Sequence, residues 1–367
     1  MERYILEHYY EIYYNFILII CFITFFHTQV LKGYENKVYN YNRFFGILLL
    51  FIIVIYIGLR PIDGKFVDMQ TYASTFNQFK NGSLSISHGG DIGFEYFIKF
   101  STYFFSVETF FLLCSIIYVF PLYIASKRWF PNYHFFAFFM LICSFSFLTY
   151  GVNGIRNGMA TSIFVLGLSY AYSNKKIAIP IFILSVLFHK SMILLVIAYI
   201  FTFLVKDTKK YFLFWAASII LSITMGSFWE TIFSNLGFGD DRLAGYLTAT
   251  ADASKFSSTG FRYDFLLYSA APLGLAYYYV FKKGFNDEQY KHILHTYIIA
   301  NAFWIMVIRA NFSNRFAYLS WFLMALVVGY PLFKEVFWNN QFKKAGTITM
   351  IYFAFTYGMF YYYKLLR

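Results

Sequence analysis

Residues 177–204 read IAIPIFILSVLFHKSMILLVIAYIFTFL, and the three polar residues in the middle of this stretch decide how the chain crosses a membrane. As one helix, the stretch would carry His189, Lys190 and Ser191 at mid-membrane, where ionisable side chains are costly. As two helices, it would place them at a membrane surface and reverse the direction of every later helix. Loop charge can choose between these options, because basic residues in short loops stay in the cytoplasm.

The loop charges favour two helices that meet at His189. With this break, nearly the whole basic excess of the chain, whose net charge is +12, lies on one side of the membrane. Without the break, lysines that follow residue 190 would move to the other side, and the bias would mostly vanish. The bases on the predicted cytoplasmic side are Lys32, Lys37, Arg43, Lys127, Arg128, Lys175, Lys176, Lys206, Lys209, Lys210, Lys282, Lys283, Lys291, Lys334, Lys343 and Lys344.

The composition is that of a membrane protein. Hydrophobic residues make up 59% of the chain and charged residues 13%, whereas soluble domains carry about a quarter charged residues. The 367 residues have room for about ten to fourteen spanning helices and no sizeable soluble domain. We therefore predict one all-α polytopic membrane domain over residues 1–367. About twelve spans are expected, near 9–31, 44–59, 96–126, 133–150, 155–172, 177–188, 191–205, 211–229, 263–281, 291–308, 315–333 and 346–363.

Topology accounts for the positive charge, which leaves little reason to expect a nucleic-acid partner; the bases orient the chain and attract anionic lipid heads.

Acidic residues near the N-terminus predict that the first apolar run is a span and not a cleaved signal peptide. Within the long run 96–126, we expect residues 95–105 to lie along the interface before the span begins. Two outer loops are predicted, near 60–93 and 230–262.

Polar side chains on the predicted outer face concentrate at helix ends. They are Arg60, Asp63, Asp68, Tyr72, His88, Asp91, Glu95, Asn153, Arg156, Asn157, His189, Lys190, Ser191, Asp240, Asp241, Arg242, Arg262, Arg309, Asn311, Asn314 and Arg315. Asp68, Asp91, Glu95, Asp240 and Asp241 are candidates for a base that deprotonates a sugar hydroxyl. No spacing typical of a metal site accompanies these acids, so we expect neither a metal nor a cofactor.

Three predicted inward-running helices begin with cations, namely Arg156, His189 with Lys190, and Arg315. A cation opposes the dipole at a helix N-terminus, where an acid is favoured by about 0.3–1 kcal/mol. These starts suggest that a bound anion compensates, and phosphate suits both arginine and free backbone N–H groups. Alternatives remain: an arginine can snorkel to lipid phosphate, Gly154 and Gly158 can form a small-xxx-small packing face, and His189 can cap a helix.

These clusters together resemble the EpsG-like branch of the Wzy-type polymerases, bacterial inner-membrane enzymes that link lipid-carried oligosaccharide repeats. The resemblance covers about residues 60–203, with an echo near 311–318. Its motifs are Arg60 followed by Asp68 and Tyr72, the Gly93-Phe94-Glu95 turn, Asn153-Gly-Ile-Arg156 with Ala160, and Leu187-Phe188-His189-Lys190-Ser191. The chain departs from the family pattern at Asp91-Ile92, where Glu-Pro is usual, and at Asn157, where Gln is common.

The resemblance implies a GT-C-like fold and inverting glycosyl transfer on the periplasmic side, with release of undecaprenyl pyrophosphate. We expect Arg156 and Arg315 to hold the diphosphate and His189 to donate to it or to accept the hydroxyl proton, with Asp68 or Glu95 as the rival base. A chain-length regulator and a flippase are the partners it implies. Residues expected to position lipid phosphate and sugar are Arg60, Tyr72, Asn153, Lys190, Arg309, Asn311 and the loop with Asp240, Asp241 and Arg242.

Three other functions compete with polymerase. A flippase for lipid-linked sugars would need a polar path through mid-membrane and two pseudo-symmetric halves, and the sequence shows neither. An O-antigen ligase uses the same donor but transfers the chain to lipid A. A membrane O-acyltransferase is the third alternative.

Overall fold

The computed structural model describes residues 2–31, 36–87, 90–235, 260–310 and 313–365, and every regular element within these ranges is helical. A π-helical turn at Tyr278–Lys282 directly follows the helix Tyr263–Tyr277. Numbered in chain order, the helices are α1 (Glu2–Glu7), α2 (Tyr9–Val30), α3 (Asn36–Gly58), α4 (Val67–Lys80), α5 (Ile92–Phe104), α6 (Val107–Trp129), α7 (His134–Ile142), α8 (Phe145–Val152), α9 (Ile155–Ala171), α10 (Lys175–Phe188), α11 (Met192–Phe201), α12 (Thr208–Asn235), α13 (Tyr263–Tyr277), α14 (Glu288–Met306), α15 (Asn314–Lys334) and α16 (Gln341–Leu365).

Four helices in the described ranges are long and apolar enough to cross a membrane: α2, Asn40–Gly58 of α3, α6, and Arg315–Lys334 of α15. Large apolar side chains remain exposed on the helix surfaces, among them Phe51 and Ile220. Such a surface requires lipid as its solvent, because water would not cover so much contiguous apolar area. The chain is thus an all-α membrane-embedded protein, and the count of about twelve spans stays a prediction.

The structure confirms the two helix breaks that the sequence predicted. Helix α10 ends at Phe188, His189 has an extended backbone with φ −156° and ψ 120°, and α11 begins at Met192. The long run 96–126 is divided as well, between α5 and α6, where the Ser106 hydroxyl accepts a 3.3 Å hydrogen bond from the Thr109 N–H. Both breaks place polar residues at helix ends, where backbone groups need partners.

Two elements differ from the hydropathy reading. The outer segment 60–93 contains α4, an amphipathic helix that buries Met69, Ala73 and Phe76 on one face. The apolar residues of α4 recur about every 3.6 residues, and the opposite face of the helix is polar. The mean hydropathy of the segment is therefore low and does not reveal the helix. The predicted span 133–150 is two short helices, α7 and α8, separated at Cys143–Ser144. Both halves are apolar, so hydropathy alone gives no sign of the break.

Tight helix packing brings the ends of α5, α8, α9 and α10 together. At Gly93 of α5, an added Cβ would lie 2.8 Å from both Cβ and the carbonyl oxygen of Leu187 in α10. At Gly158 of α9, it would lie 2.8 Å from the carbonyl oxygen of Tyr150 in α8. Glycine at these two positions lets the helices approach closely, as the small-xxx-small alternative for Gly158 requires.

Candidate functional site

Asp91, the residue before α5, lies at the centre of a polar cluster that joins several helix ends. Its Oδ2 is 2.7 Å from Nη1 of Arg156 and 3.1 Å from Nδ1 of His189. Its Oδ1 accepts a 2.9 Å hydrogen bond from the backbone N–H of Lys190. The start of α9 and the turn between α10 and α11 are therefore fixed around one carboxylate. We call Asp91, Arg156, His189 and Lys190 the Asp91 cluster.

Exposure differs between the carboxylate and the cationic groups around it. The Asp91 side chain is 5% exposed, whereas those of Arg156 and His189 are 22% and 16% exposed. A molecule that approaches the cluster can therefore reach the guanidinium and the imidazole while the carboxylate stays behind them. The cations at these helix N-termini predict a compensating anion, and the Asp91 carboxylate supplies part of that negative charge.

Asp91 is ionised at neutral pH. Burial raises the pKa of its carboxyl group, but the close contact with the His189 ring, the charge of Arg156 and the N–H of Lys190 together outweigh burial. The pKa of Asp91 is consequently below its ordinary value. A carboxylate that holds its negative charge this firmly is a poor proton acceptor. The structure thus corrects the inclusion of Asp91 among the candidate bases and makes it the group that positions Arg156 and His189.

The Asp91 carboxylate also sets the hydrogen position on His189. Nδ1 of the imidazole faces Oδ2 at 3.1 Å, in a contact too bent for a well-aligned hydrogen bond. A nitrogen lone pair at that distance from an anion would be repelled, so we assign the hydrogen of the neutral ring to Nδ1. Nε2 then carries the lone pair. This nitrogen is the atom of His189 that can accept a proton from a substrate.

The ring of Tyr72 in α4 lies beside the guanidinium of Arg156. Its Cζ lies 6.0 Å from the ring centre of Tyr72. The Tyr72 ring packs edge-on against Phe94, with the ring centres 5.0 Å apart. Because the face of an aromatic ring attracts cations, Tyr72 helps to orient Arg156 at the edge of the cluster.

The third cationic helix start lies at the same end of the bundle. Arg315 is exposed in the first turn of α15 and is close enough to Tyr150 to interact with it electrostatically. One turn further along α15, the ring of Tyr318 packs edge-on against Tyr150, with the ring centres 5.2 Å apart. Tyr150 in turn contacts α9 through Gly158. The helices that begin with Arg156, His189 and Arg315 therefore all start at one end of the protein.

The sequence profile of the EpsG family matches residues 43–367, a range that includes the whole Asp91 cluster and Arg315. The chain belongs to the EpsG family. No curated protein and no solved structure matches it significantly. Membership of the EpsG family confirms the resemblance drawn from the motifs and indicates a polymerase-like role in polysaccharide biosynthesis.

Arg60 is the first residue of the motif series linked to the EpsG family and was predicted to contact substrate. In the structure its side chain contacts the protein itself. It is 6% exposed, and its guanidinium donates to the carbonyl oxygens of Ile57 and, at 3.2 Å, Val152. The rings of Phe66 and Phe111 lie 5.4 and 6.0 Å from its Cζ. Arg60 thus joins the end of α3 to the end of α8, and its role as a substrate contact stays a prediction.

Glu95 and Asn153 also make contacts within the protein. The two carboxylate oxygens of Glu95 accept 2.7 Å hydrogen bonds from the N–H and the hydroxyl of Ser87. This contact closes the segment that carries Asp91 onto the first turn of α5. The amide of Asn153 donates to the Tyr10 hydroxyl at 2.9 Å and joins α8 to α2. Both side chains therefore stabilise the segments that carry the Asp91 cluster. Because both carboxylate oxygens of Glu95 already accept hydrogen bonds from Ser87, Glu95 is a weaker candidate base than Asp68.

Two further residues of the predicted site, Asp68 and Arg309, lie within the described ranges. Asp68 lies half-buried in the first turn of α4 and interacts electrostatically with Arg60. Arg309 follows α14, donates to the Ser222 carbonyl oxygen at 2.5 Å and lies 5.1 Å from the Phe261 ring centre. Five residues of the predicted outer face fall outside the described ranges: His88, Asp240, Asp241, Arg242 and Asn311.

The central position of Asp91 is the part of the site that sequence reasoning missed. The available signal was the set of cationic helix starts, since buried cations require a counter-charge. The sequence instead predicts that a bound phosphate supplies that charge, and it places Asp91 only among five candidate bases. Among the residues that the structure describes, no group of three or more His, Cys, Asp or Glu side chains could hold a metal ion.

Proposed function

We propose that this protein is a glycosyltransferase that joins undecaprenyl-pyrophosphate-linked oligosaccharide repeats into O-antigen, capsule or exopolysaccharide at the periplasmic face of the bacterial inner membrane. Such a reaction needs a proton acceptor beside a cationic site for the departing diphosphate. The contact of Arg156 and His189 with the same Asp91 oxygen carries the proposal, because it holds these two groups side by side. The membership of the EpsG family supports the polymer as product.

The proposed reaction is a direct displacement with inversion. A hydroxyl oxygen of the acceptor repeat attacks the anomeric carbon of the growing chain from the face opposite the diphosphate. The new glycosidic bond forms as the carbon–oxygen bond to the diphosphate breaks. Nε2 of His189 takes the hydroxyl proton, and undecaprenyl pyrophosphate leaves with the bond electrons. Asp68 is the rival base, and in that case His189 would act as a phosphate ligand.

Arg156 and Arg315 have the complementary role of stabilising the leaving group. Negative charge grows on the diphosphate in the transition state, so fixed cations there stabilise the transition state more than the bound substrate. Arginine suits this role because its planar guanidinium can donate two parallel hydrogen bonds to a phosphate. The backbone N–H groups of the first turns of α9 and α15 add partial positive charge in the same place.

The periplasmic location is supported by the charge at the two ends of α10. This helix begins with Lys175 and Lys176 and leads to His189 at the other end. Since lysines in short loops mark the cytoplasmic side, the Asp91 cluster faces the periplasm. About twelve spans and a GT-C-like arrangement belong to the same proposal.

Complementation of a polymerase-deleted host strain tests the assigned roles. We expect Arg156→Lys and His189→Gln to lower polymer synthesis about 100-fold or more at equal protein abundance. Arg128→Lys and His8→Gln, which change the same residue types away from the cluster, are matched controls and keep wild-type polymer. Long polymer at wild-type levels from either cluster variant would refute the role assigned to the substituted residue.

An assay with purified full-length protein and lipid-linked repeats separates the proposed function from its rivals. A ladder of lengthening oligosaccharides on the lipid supports a polymerase. Transfer of the chain to added lipid A would instead show a ligase. Movement of the lipid across the bilayer without a new glycosidic bond would show a flippase.

A further inference from the structure

A cavity of about 290 Å³ lies at the opposite end of α9 from the Asp91 cluster. The end of α9, the start of α10, the end of α11 and the start of α14 form its walls. Because α9 has 17 residues, about 25 Å of helix separates this cavity from Arg156. The cavity is therefore a second site that shares no residue with the proposed active site.

The lining of this cavity carries unbalanced positive charge. Lys175, Lys206 and Lys291 line it, and Glu288 is the acid among its described lining residues. Nζ of Lys291 lies 2.7 Å from the Glu288 carboxylate, which neutralises that lysine. Within the described part of the chain, neither Lys175 nor Lys206 has a carboxylate within 4.0 Å, although Lys206 also interacts electrostatically with Glu288. With three lysines and one glutamate, the lining keeps an excess of positive charge. Two lysines thus face a shared space that has room for an anion.

Two histidines at the cavity are held in fixed orientations. The Thr202 hydroxyl donates to the Tyr199 carbonyl oxygen at 2.6 Å and lies 2.5 Å from Nδ1 of His292. Since the hydroxyl hydrogen is used on the carbonyl, the hydrogen between Thr202 and His292 belongs to the ring. Nε2 of His295 lies 3.0 Å from the Thr208 hydroxyl. These contacts fix the two imidazole rings, so one side of the cavity is polar and rigid.

Aromatic side chains at the rim indicate a membrane interface. Tyr172 is 67% exposed and Phe203 is 43% exposed, although both belong to the cavity lining. Nζ of Lys175 lies 5.9 Å from the Phe203 ring centre. Aromatic rings beside lysines are typical of the headgroup layer of a bilayer. Anionic headgroups attract such lysines by about 1 kcal/mol for each charge.

We propose that this cavity binds a phosphate monoester or diester through Lys175 and Lys206, either on an anionic phospholipid headgroup or on a soluble phosphate compound. The cavity is close to the lower limit of ligand pockets, about 300 Å³, which favours a small headgroup over a nucleotide. The proposal goes beyond the glycosyltransferase function and requires nothing of it, because none of its residues belongs to the Asp91 cluster.

Native mass spectrometry of the purified full-length protein, titrated with phosphatidylglycerol, tests the site. We expect Lys175→Gln with Lys206→Gln to weaken phosphatidylglycerol binding about tenfold or more. Lys209→Gln with Lys210→Gln removes the same charge from exposed neighbours outside the cavity and is the matched control, with less than about a twofold effect expected. Lys175→Arg with Lys206→Arg keeps both charges and retains binding, which shows that the cavity is still formed.

Equal weakening by the two glutamine pairs would overturn the proposal, because it would mean that the surface attracts lipid without a defined site. Unchanged binding in Lys175→Gln with Lys206→Gln would overturn it as well. Titration with inorganic phosphate then identifies the source. Displacement of phosphatidylglycerol supports a soluble phosphate ligand, and failure to displace it supports the lipid headgroup.

Discussion

Gly93 of α5 lies against the backbone of Leu187 in α10 so closely that an added methyl group would come within 2.8 Å of the Leu187 carbonyl oxygen. Asp91 is two residues before Gly93, and His189 is two residues after Leu187. The close approach of the two helices therefore sets the distance between carboxylate and imidazole.

Replacing Gly93 by alanine is expected to impair polymer synthesis more than stability. The new Cβ must push α5 away from α10, and this overpacking costs about 1–3 kcal/mol while it moves Asp91 from His189. Gly274→Ala is the control, since nothing lies within 4 Å of its added Cβ. Polymer per folded protein and apparent Tm in detergent are the measurements. Normal polymer from Gly93→Ala would contradict the link between this contact and the site.

Asp91→Asn is expected to lower apparent Tm and to abolish polymer. The amide leaves Arg156 without its counter-charge, which we expect to cost about 1–3 kcal/mol. The pKa of Asp91 is lowered in the fold, so its contribution to stability is complete above the ordinary pKa of about 4 and is lost at lower pH. Wild type should consequently be the more stable protein at pH 7, and the difference should shrink below about pH 4.

The control for Asp91→Asn is Asp264→Asn, which removes an exposed partner of Arg262. An exposed ion pair contributes about 0–1 kcal/mol, so little change in Tm is expected. A difference between wild type and Asp91→Asn that persists unchanged at pH 3 would show that the carboxylate charge is not the cause.

Arg60→Lys is expected to lower Tm while polymer per folded protein stays close to wild type. Lysine cannot make both carbonyl contacts of the guanidinium, to Ile57 and Val152, and losing one costs about 1–3 kcal/mol. Arg128→Lys, on the exposed face, serves for comparison. A raised KM for lipid-linked repeats at unchanged Tm would instead support the substrate contact predicted from the sequence.

Asn301→Leu is expected to destabilise the protein without a specific effect on the reaction. The Asn301 amide donates to the hydroxyls of Ser269 and Ser320 and accepts from the Trp215 indole N–H at 2.8 Å, all deep between helices. Each such hydrogen bond in a membrane protein contributes about 0.6 kcal/mol on average, so we expect a loss of about 2 kcal/mol. Thermal unfolding in detergent checks this, and an unchanged Tm would show that the network is not stabilising.

Hydropathy predicted most helices well where an apolar run is bounded by charge, as for α2, α9 and α15, because lipid demands an apolar surface along the whole helix. It failed where that rule does not apply. Helix α4 has one polar face, and the break at Ser144 lies between two apolar halves. The candidate site followed the same division. Helix direction and charge singled out Arg156, His189 and Arg315, whereas the contacts of Arg60 with two backbone carbonyl oxygens could not be predicted from the sequence.

The sequence by itself determined the membrane class, the family, the break at His189 and the cations that begin three helices, because these depend on composition and on the order of polar residues along the chain. Only the tertiary structure decided which acid meets those cations. Asp91 and His189 are far apart in sequence and meet because Gly93 lets α5 pack against α10. Which charges are buried together depends on helix packing, and that is a property of the folded chain alone.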